Sequence, residues 1–303
     1  MAHLIERDQI DILVAIGGHT LDNRLPVLAH KPAPIQIDFG AISTTGMSQV
    51  DYRFTDHTLD SDQTQSLYAE TSLYIESGFE VYRPPETMPA VGPLPCLRNG
   101  FVSFVCFNNS SKITDEMIEI WAKILLGVER SRLLLKFRGG DDPGTRVIFM
   151  QRLGRFGISP ERLSFFGWQA SGGQYALYNQ ADIALDTFPF NGCLTSMEAM
   201  YMGLPVVTLY GQPDRYWNCH IAGALLKRMG LGFFATRSPR EYRAKAIALA
   251  RDPASLEAIR KSMRARMNAS GGVCDGVSQQ SSVESLYRRV WRQWCDRAGR
   301  GSE

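Results

Sequence analysis

The stretch Asn191-Gly192-Cys193-Leu194-Thr195, with Glu198 three residues further on, is the part of this sequence best suited to chemistry. An apolar strand, Ile183-Ala184-Leu185, runs into a turn stiffened by Pro189. The turn opens through Asn191-Gly192 into a short helix that stops at Gly203, and Val206-Val207-Thr208-Leu209 forms the next strand. A helix N-terminus exposed after a strand attracts phosphate, because its free N–H groups and its dipole favour negative charge. Residues three apart share a helix face, so Glu198 lies on the side of Thr195. A carboxylate there suits ribose hydroxyls while the helix end holds a diphosphate. The pattern points to a nucleotide diphosphate.

Positioning such a turn requires strands and helices in alternation, and the chain supplies them, which indicates an α/β fold with parallel strands. Expected strands are Asp11–Ile16, Pro34–Phe39, Phe101–Phe107, Arg132–Phe137, Leu163–Gly167, Ile183–Asp186 and Val206–Tyr210. Helical patterns cover Thr114–Leu126, Thr145–Phe156, Gly173–Gln180, Thr195–Met202, His220–Met229, Pro239–Arg251, Pro253–Met267 and Ser282–Cys295. Pro84, Pro85, Pro89, Pro93 and Pro95 crowd Tyr82–Gly100, and repeated prolines continue neither a helix nor a central strand. That stretch is the expected linker. Past it the pattern is long enough for a complete doubly wound domain. Before it stand two clear strands, thin for an open sheet that must be covered on both faces. The tail Arg297–Glu303 is expected to fray.

At 303 residues the chain is one large domain or two of ordinary size. A hydrophobic share of 44% is that of a globular protein. The formal charge of +2 is too slight to suggest nucleic acid. Arg260, Arg264, Arg266, Arg288, Arg289 and Arg292 read as solvated helix faces. No apolar run spans a bilayer, and the N-terminus lacks the apolar centre of a secretion signal. The six cysteines are scattered with no CxxC pair, which argues against a zinc site or a disulfide framework and fits a reducing cytoplasm.

Five segments, in order, carry a resemblance to a known family. Asp11-Ile12-Leu13-Val14 comes with Gly18-His19-Thr20 and Asn23-Arg24. Lys31-Pro32-Ala33-Pro34-Ile35-Gln36 leads to Gly40 and Thr44-Thr45-Gly46. Phe107-Asn108-Asn109 precedes Lys112-Ile113. Ser131-Arg132-Leu133-Leu134-Leu135-Lys136 has Gly157-Ile158 and Arg162-Leu163 downstream. The last segment is Asp182–Pro205. Over roughly residues 8 to 297 the chain resembles the catalytic region of the family 41 glycosyltransferases, the family of O-GlcNAc transferase and the Spindly-type enzymes.

The resemblance implies a GT-B fold of α/β type, two Rossmann-like halves with the active site in the cleft between them, needing no metal. The segments then divide as residues 1–90, a partial N-terminal catalytic half; 91–280, the nucleotide-sugar-binding half; and 281–303, a crossing helix and tail. Lys112 stands at the position of the family's essential lysine, where a preorganised ammonium stabilises the departing diphosphate. Asn109 matches a polar position facing uridine or phosphate. The backbone of Gly192, Cys193, Leu194 and Thr195, with the Thr195 hydroxyl and Asn191 beside them, meets the diphosphate, and Glu198 the ribose. Gly40, with Thr44-Thr45-Gly46, matches a loop that approaches the sugar, where glycine lets backbone reach a ligand. Arg24 matches an arginine facing the cleft. His220 stands where relatives carry Arg or His near the phosphates. Gln174 stands where they commonly carry histidine; it can donate a hydrogen bond but cannot carry charge. The plain alternatives are an exposed loop lysine, a helix capped by Asn191, a surface glutamate favouring the dipole, an ordinary turn, a helix-surface arginine and a surface histidine. His19 is set aside as a base, since the family's proposed base lies further upstream.

Only ten residues precede Asp11. Against the family this implies an incomplete N-terminal half and no tandem helical repeats for protein acceptors. Within the resemblance, the expected function is inverting transfer of a sugar, GlcNAc first, from UDP-GlcNAc or a related nucleotide sugar to protein Ser/Thr hydroxyls in the cytoplasm. Expected partners are the donor and a protein acceptor, with no nucleic acid and no membrane; a partner chain completing the N-terminal half is a further expectation. The alternative is a catalytically impaired nucleotide-binding or scaffold module. A transferase acting on lipid or glycan acceptors is a third reading.

Overall fold

Parallel strands are covered on both faces, so their sequences run apolar without alternation. The computed structural model describes residues 1–40, 43–169, 172–211 and 217–300 and gathers such runs into two parallel sheets. They belong to two compact units: Met1–Val81 with the C-terminal segment from Asp275, and Tyr82–Gln212 with Cys219–Cys274. No helix among the described residues is long and apolar enough to cross a membrane.

The first unit holds β1 (Ile12–Ile16), β2 (Ile35–Phe39), β3 (Tyr52–Thr55) and β4 (Thr71–Tyr74), side by side in chain order. Four strands stand where two were expected. The extra pair escaped notice because Tyr52-Arg53-Phe54-Thr55 and Thr71-Ser72-Leu73-Tyr74 are short and half polar. Arg53 is nonetheless buried. Its Nη1 donates to Asp60 Oδ2 at 2.8 Å, and its guanidinium carbon lies 3.7 Å from the centre of the Tyr68 ring. Asp60 also accepts from Thr55 Oγ1 at 2.6 Å, Thr64 Oγ1 at 3.1 Å and Tyr68 OH at 2.9 Å. A charge paired in this way can occupy a core position. The helix Gly276–Arg300 buries Leu286 and Val290, and its Tyr287 ring meets Phe54 edge-on at 5.7 Å. It continues through Arg297 to Arg300 where a frayed tail was expected; residues 301–303 lie outside the described residues.

The second unit holds β5 (Val102–Cys106), β6 (Ser131–Lys136), β7 (Leu163–Phe166), β8 (Ile183–Leu185), β9 (Val206–Leu209) and the two-residue edge β10 (Ala235–Thr236). Their order is β10-β9-β8-β5-β6-β7. From β5 the chain builds outward through β6 to β7, then returns to lay β8 on the other side of β5. In open parallel sheets ligands bind outside the carboxyl ends of the strands, at the point where the order reverses. Here that point lies between β5 and β8.

The helix Asp115–Gly127 leads from β5 to β6. Thr114 caps it by accepting from the Met117 N–H at 3.2 Å. Its Ile118, Trp121, Ile124 and Leu125 are buried at helical spacing, each such side chain contributing about 1.5–3 kcal/mol. Two arginines expected on a solvated face are instead structural. Arg260 is 3% exposed and donates to Gly92 O at 2.8 Å, Ala181 O at 3.0 Å and Asn179 Oδ1 at 3.2 Å. Arg264 donates to Tyr201 O at 2.7 Å and to Pro89 O. Proline-rich backbone offers carbonyls with few N–H partners, and these guanidinium groups take them.

Candidate functional site

The apolar strand β8 ends at a charge. Asp186 is 2% exposed. It accepts from the Gly192 N–H at 2.7 Å, Thr208 Oγ1 at 2.7 Å and Asn108 Nδ2 at 3.1 Å. Burial pushes its pKa up to about 6, although those hydrogen bonds and the nearby Lys112 pull the other way. The turn from Thr187 to Cys193 folds around this carboxylate, with Thr187 Oγ1 donating to Phe190 O at 2.7 Å.

Asn191 does not cap the following helix. Its carboxamide is buried and donates to Thr187 O at 2.8 Å and Leu209 O at 3.3 Å. Cys193 occupies the cap position of the helix Leu194–Tyr201, without a side-chain capping bond. The Gly192 N–H, expected to face a ligand, is spent on Asp186. The Thr195 hydroxyl likewise donates inward, to Asn108 Oδ1 at 2.7 Å. The Leu194 and Thr195 N–H groups are first-turn amides with no intrahelical acceptor, the groups that make a helix start attractive to anions.

Lys112 reaches this helix start from β5. It ends the 3₁₀ turn Ser110–Lys112, which Asn109 caps by accepting from the Ser111 N–H at 3.1 Å. Its Nζ donates to Asn191 O at 2.8 Å and lies 3.6 Å from the centre of the Phe190 ring. It is half-buried, not a free loop lysine. Burial lowers its pKa while Asp186 raises it. The amine therefore lies against the turn that leads into these first-turn amides, at the reversal point between β5 and β8.

Glu198 follows one turn into the helix and is 7% exposed, not a surface glutamate. Burial raises its pKa, and Lys136 at the end of β6 opposes that. Tyr178 OH lies 3.4 Å from Glu198 Oε2 and 3.1 Å from Thr195 O. Gln174 is half-buried in the short helix Gly173–Tyr178. Burial and the nearby Glu198 raise the pKa of its neighbour Tyr175. His220 is buried and stacked on Tyr210 at 4.7 Å, so it is not a surface histidine.

Arg24 and Gly40 belong to the first unit. Arg24 is exposed, with Nη1 donating to Asp22 O at 2.7 Å. Gly40 has φ +103°, and a Cβ there would meet nothing within 4 Å. Residues 41 and 42 lie outside the described residues. Thr44 and Thr45 are held by Glu70, which is 1% exposed and accepts from Thr44 Oγ1 at 2.9 Å, the Thr45 N–H at 2.7 Å and Thr45 Oγ1. The His19 ring nitrogen Nε2 lies 2.9 Å from Thr44 O.

Sequence reasoning gave no role to Asp186, Asn108, Lys136, Tyr178 or Glu70. For Asp186 and Asn108 a signal existed. Each is a polar residue closing an apolar strand, at the end of the sheet where ligands collect. Glu70 and Tyr178 carry none, because their partners are distant in the chain.

The model of glycosyl transferase family 41 matches residues 1–87 and 95–273. The chain is similar to the probable UDP-N-acetylglucosamine–peptide N-acetylglucosaminyltransferase SPINDLY of Oryza sativa subsp. japonica, 37% identical over 98% of this chain and 32% of that one. The probable UDP-N-acetylglucosamine–peptide N-acetylglucosaminyltransferase SEC of Arabidopsis thaliana is 28% identical over 97% of this chain and 30% of its own length. Among solved structures, a mutant of the Thermobaculum terrenum O-GlcNAc transferase is 36% identical, with a TM-score of 0.90 over 98% of this chain and 56% of that one. The chain spans about a third of the length of the curated relatives it matches.

Proposed function

The chain belongs to glycosyl transferase family 41, and from that premise we propose that it binds a nucleotide sugar and serves transfer of the sugar, GlcNAc first, to protein Ser/Thr hydroxyls. Its fold is α/β of GT-B type. The observation that carries the reading is the Lys112 ammonium, 2.8 Å from Asn191 O in the turn that leads into the helix Leu194–Tyr201.

In the proposed reaction an acceptor hydroxyl oxygen attacks the anomeric carbon from the face opposite the diphosphate, which inverts the configuration, and the hydroxyl proton is released to water. The bond from that carbon to the phosphate oxygen breaks, and the diphosphate leaves with the electron pair. Negative charge grows on the leaving oxygens, and fixed donors aimed at them lower the barrier. Lys112 supplies a full positive charge, and the Leu194 and Thr195 amides supply the helix end. Both are fixed before ligand arrives, which limits reorganisation during the step. The reading requires no metal, because these groups offset the charge that a cation would otherwise balance.

Calorimetry with UDP tests the binding half. The native chain is expected to bind, and Lys112→Ala to bind at least tenfold more weakly with its fold intact by circular dichroism. An unchanged affinity in Lys112→Ala would remove the assignment. Transfer is a separate measurement: a labelled sugar appearing on a protein acceptor supports the transferase, while binding without transfer or donor hydrolysis favours a nucleotide-binding module.

A further inference from the structure

Next to the phosphate-facing turn, the carboxyl ends of β5, β6 and β7 gather side chains that the proposed reaction does not use. Phe107 follows β5, Lys136 ends β6 and Trp168 stands two residues beyond β7. The Lys136 Nζ lies 5.8 Å from the centre of the Phe107 ring and 5.6 Å from that of Trp168. Phe107 rests on Tyr178 with ring centres 4.5 Å apart, and the Tyr178 hydroxyl reaches Glu198. An unbroken line of contacts therefore runs from the Glu198 carboxylate through the buried Tyr178 and Phe107 to Lys136 and the exposed Trp168 indole.

Trp168 is 75% exposed, yet the backbone that delivers it is fixed. The Phe137 N–H donates to Phe166 O at 3.2 Å. A Cβ on Gly140 would lie 2.3 Å from Phe166 O, and one on Gly167 only 2.2 Å from Asp141 Oδ1. The ends of β6 and β7 close on each other through these two glycines, and the indole projects from the closure. So large an apolar face, anchored and uncovered, contributes nothing to the core beneath it.

Resting on the nucleotide reading above, we propose that the Trp168 indole is the platform on which the nucleobase stacks when the ribose lies at Glu198 and the diphosphate at Leu194–Thr195. A flat aromatic base gains most from an aromatic face, and the contact tolerates any base because each has a π-face. The site would then owe its affinity for the base to stacking, and any preference between uracil and guanine to other groups. Lys136, between the two rings, sets the spacing between base and ribose.

The test is calorimetry of the full chain with UDP and, separately, with inorganic pyrophosphate. An exposed side chain can be cut back without unfolding the protein, so Trp168→Ala is a clean probe. It should weaken UDP about tenfold, within the range of stacking losses, and leave pyrophosphate unchanged. Trp168→Phe should recover most of the difference. Native UDP affinity in Trp168→Ala, or equal losses for UDP and pyrophosphate, would overturn the proposal while leaving the nucleotide reading intact. Failure of the native chain to bind either ligand would overturn both.

Discussion

The Gly192 amide donates to Asp186 Oδ1 across 2.7 Å, tying the turn before the helix to the strand end beneath it. The same carboxylate accepts from Asn108 beyond β5 and from Thr208 in β9. Asn108 passes the connection to Thr195 in the first helical turn. Three strand ends and a helix start are thus fixed by one buried charge. Lys112 completes the set without touching that charge directly, by donating to the carbonyl of Asn191.

Gly192→Ala should break this arrangement. A Cβ at Gly192 would lie 2.5 Å from Ser196 Oγ, 2.7 Å from Thr195 Oγ1 and 2.8 Å from Asn108 Oδ1. None of these is the loose end of a long side chain, and two are hydrogen-bonded. Overpacking of this kind costs about 1–3 kcal/mol. The variant is expected to melt several degrees lower and to lose UDP affinity. A native melting curve with native affinity would mean that the turn yields easily.

Asp186 should leave a mark on the pH dependence of stability. Burial raises its pKa from 3.8 to about 6, so the folded chain holds this proton more tightly than the unfolded chain. The contribution to stability is full below about pH 4 and is lost as pH rises through 6. A shift of this size corresponds to roughly 3 kcal/mol. Urea denaturation at intervals from pH 4 to 7 should show Asp186→Asn falling less steeply than the native chain. Parallel curves would argue against a buried charge at this position.

The pattern of continuous apolar runs made β1, β2 and β5 to β9 legible, because parallel strands advertise burial on both faces. The rule failed at β3, where Arg53 occupies a core position with Asp60 as its partner. Hydropathy sees the charge but not the carboxylate seven residues on. The alternative of Asn191 as a helix cap fails for a related reason. Local preference favours asparagine as a helix cap, but a carbonyl of β9, 18 residues away, holds its carboxamide. The position of Lys112 was legible only through resemblance. Its contact with Asn191 spans 79 residues and belongs to topology, not to local pattern.

The Arg53–Asp60 pair should be costly to break from one side. Both side chains are at most 3% exposed. Asp60→Ala would leave a buried guanidinium without its counter-charge and remove the acceptor of Thr55, Thr64 and Tyr68. Removing one partner of a buried pair costs about 3–5 kcal/mol. Thermal unfolding of Asp60→Ala should show a large drop or no folded chain at all. The exposed Glu119–Lys123 pair gives the contrast, since Glu119→Ala should shift the midpoint hardly at all.

Glu198 offers the sharpest separation of binding from folding. Its burial raises the carboxyl pKa, with Lys136 opposing, so the ionised form is favoured only as pH rises through that elevated value. Ribose hydroxyls donate best to the ionised form. UDP affinity should therefore fall as pH is lowered, and Glu198→Gln should flatten the profile. The variant should bind UDP about tenfold more weakly, since hydrogen bonds to a charged acceptor contribute about 1.5–3 kcal/mol. It should bind the 2′,3′-dideoxy analogue of UDP as the native chain does. Because a buried carboxylate with a raised pKa weakens the fold when ionised, the neutral glutamine should hold or raise the melting temperature at neutral pH. Weaker UDP binding at undiminished stability would then come from the ribose contact itself. Native discrimination between UDP and the dideoxy analogue in Glu198→Gln would instead place the ribose elsewhere.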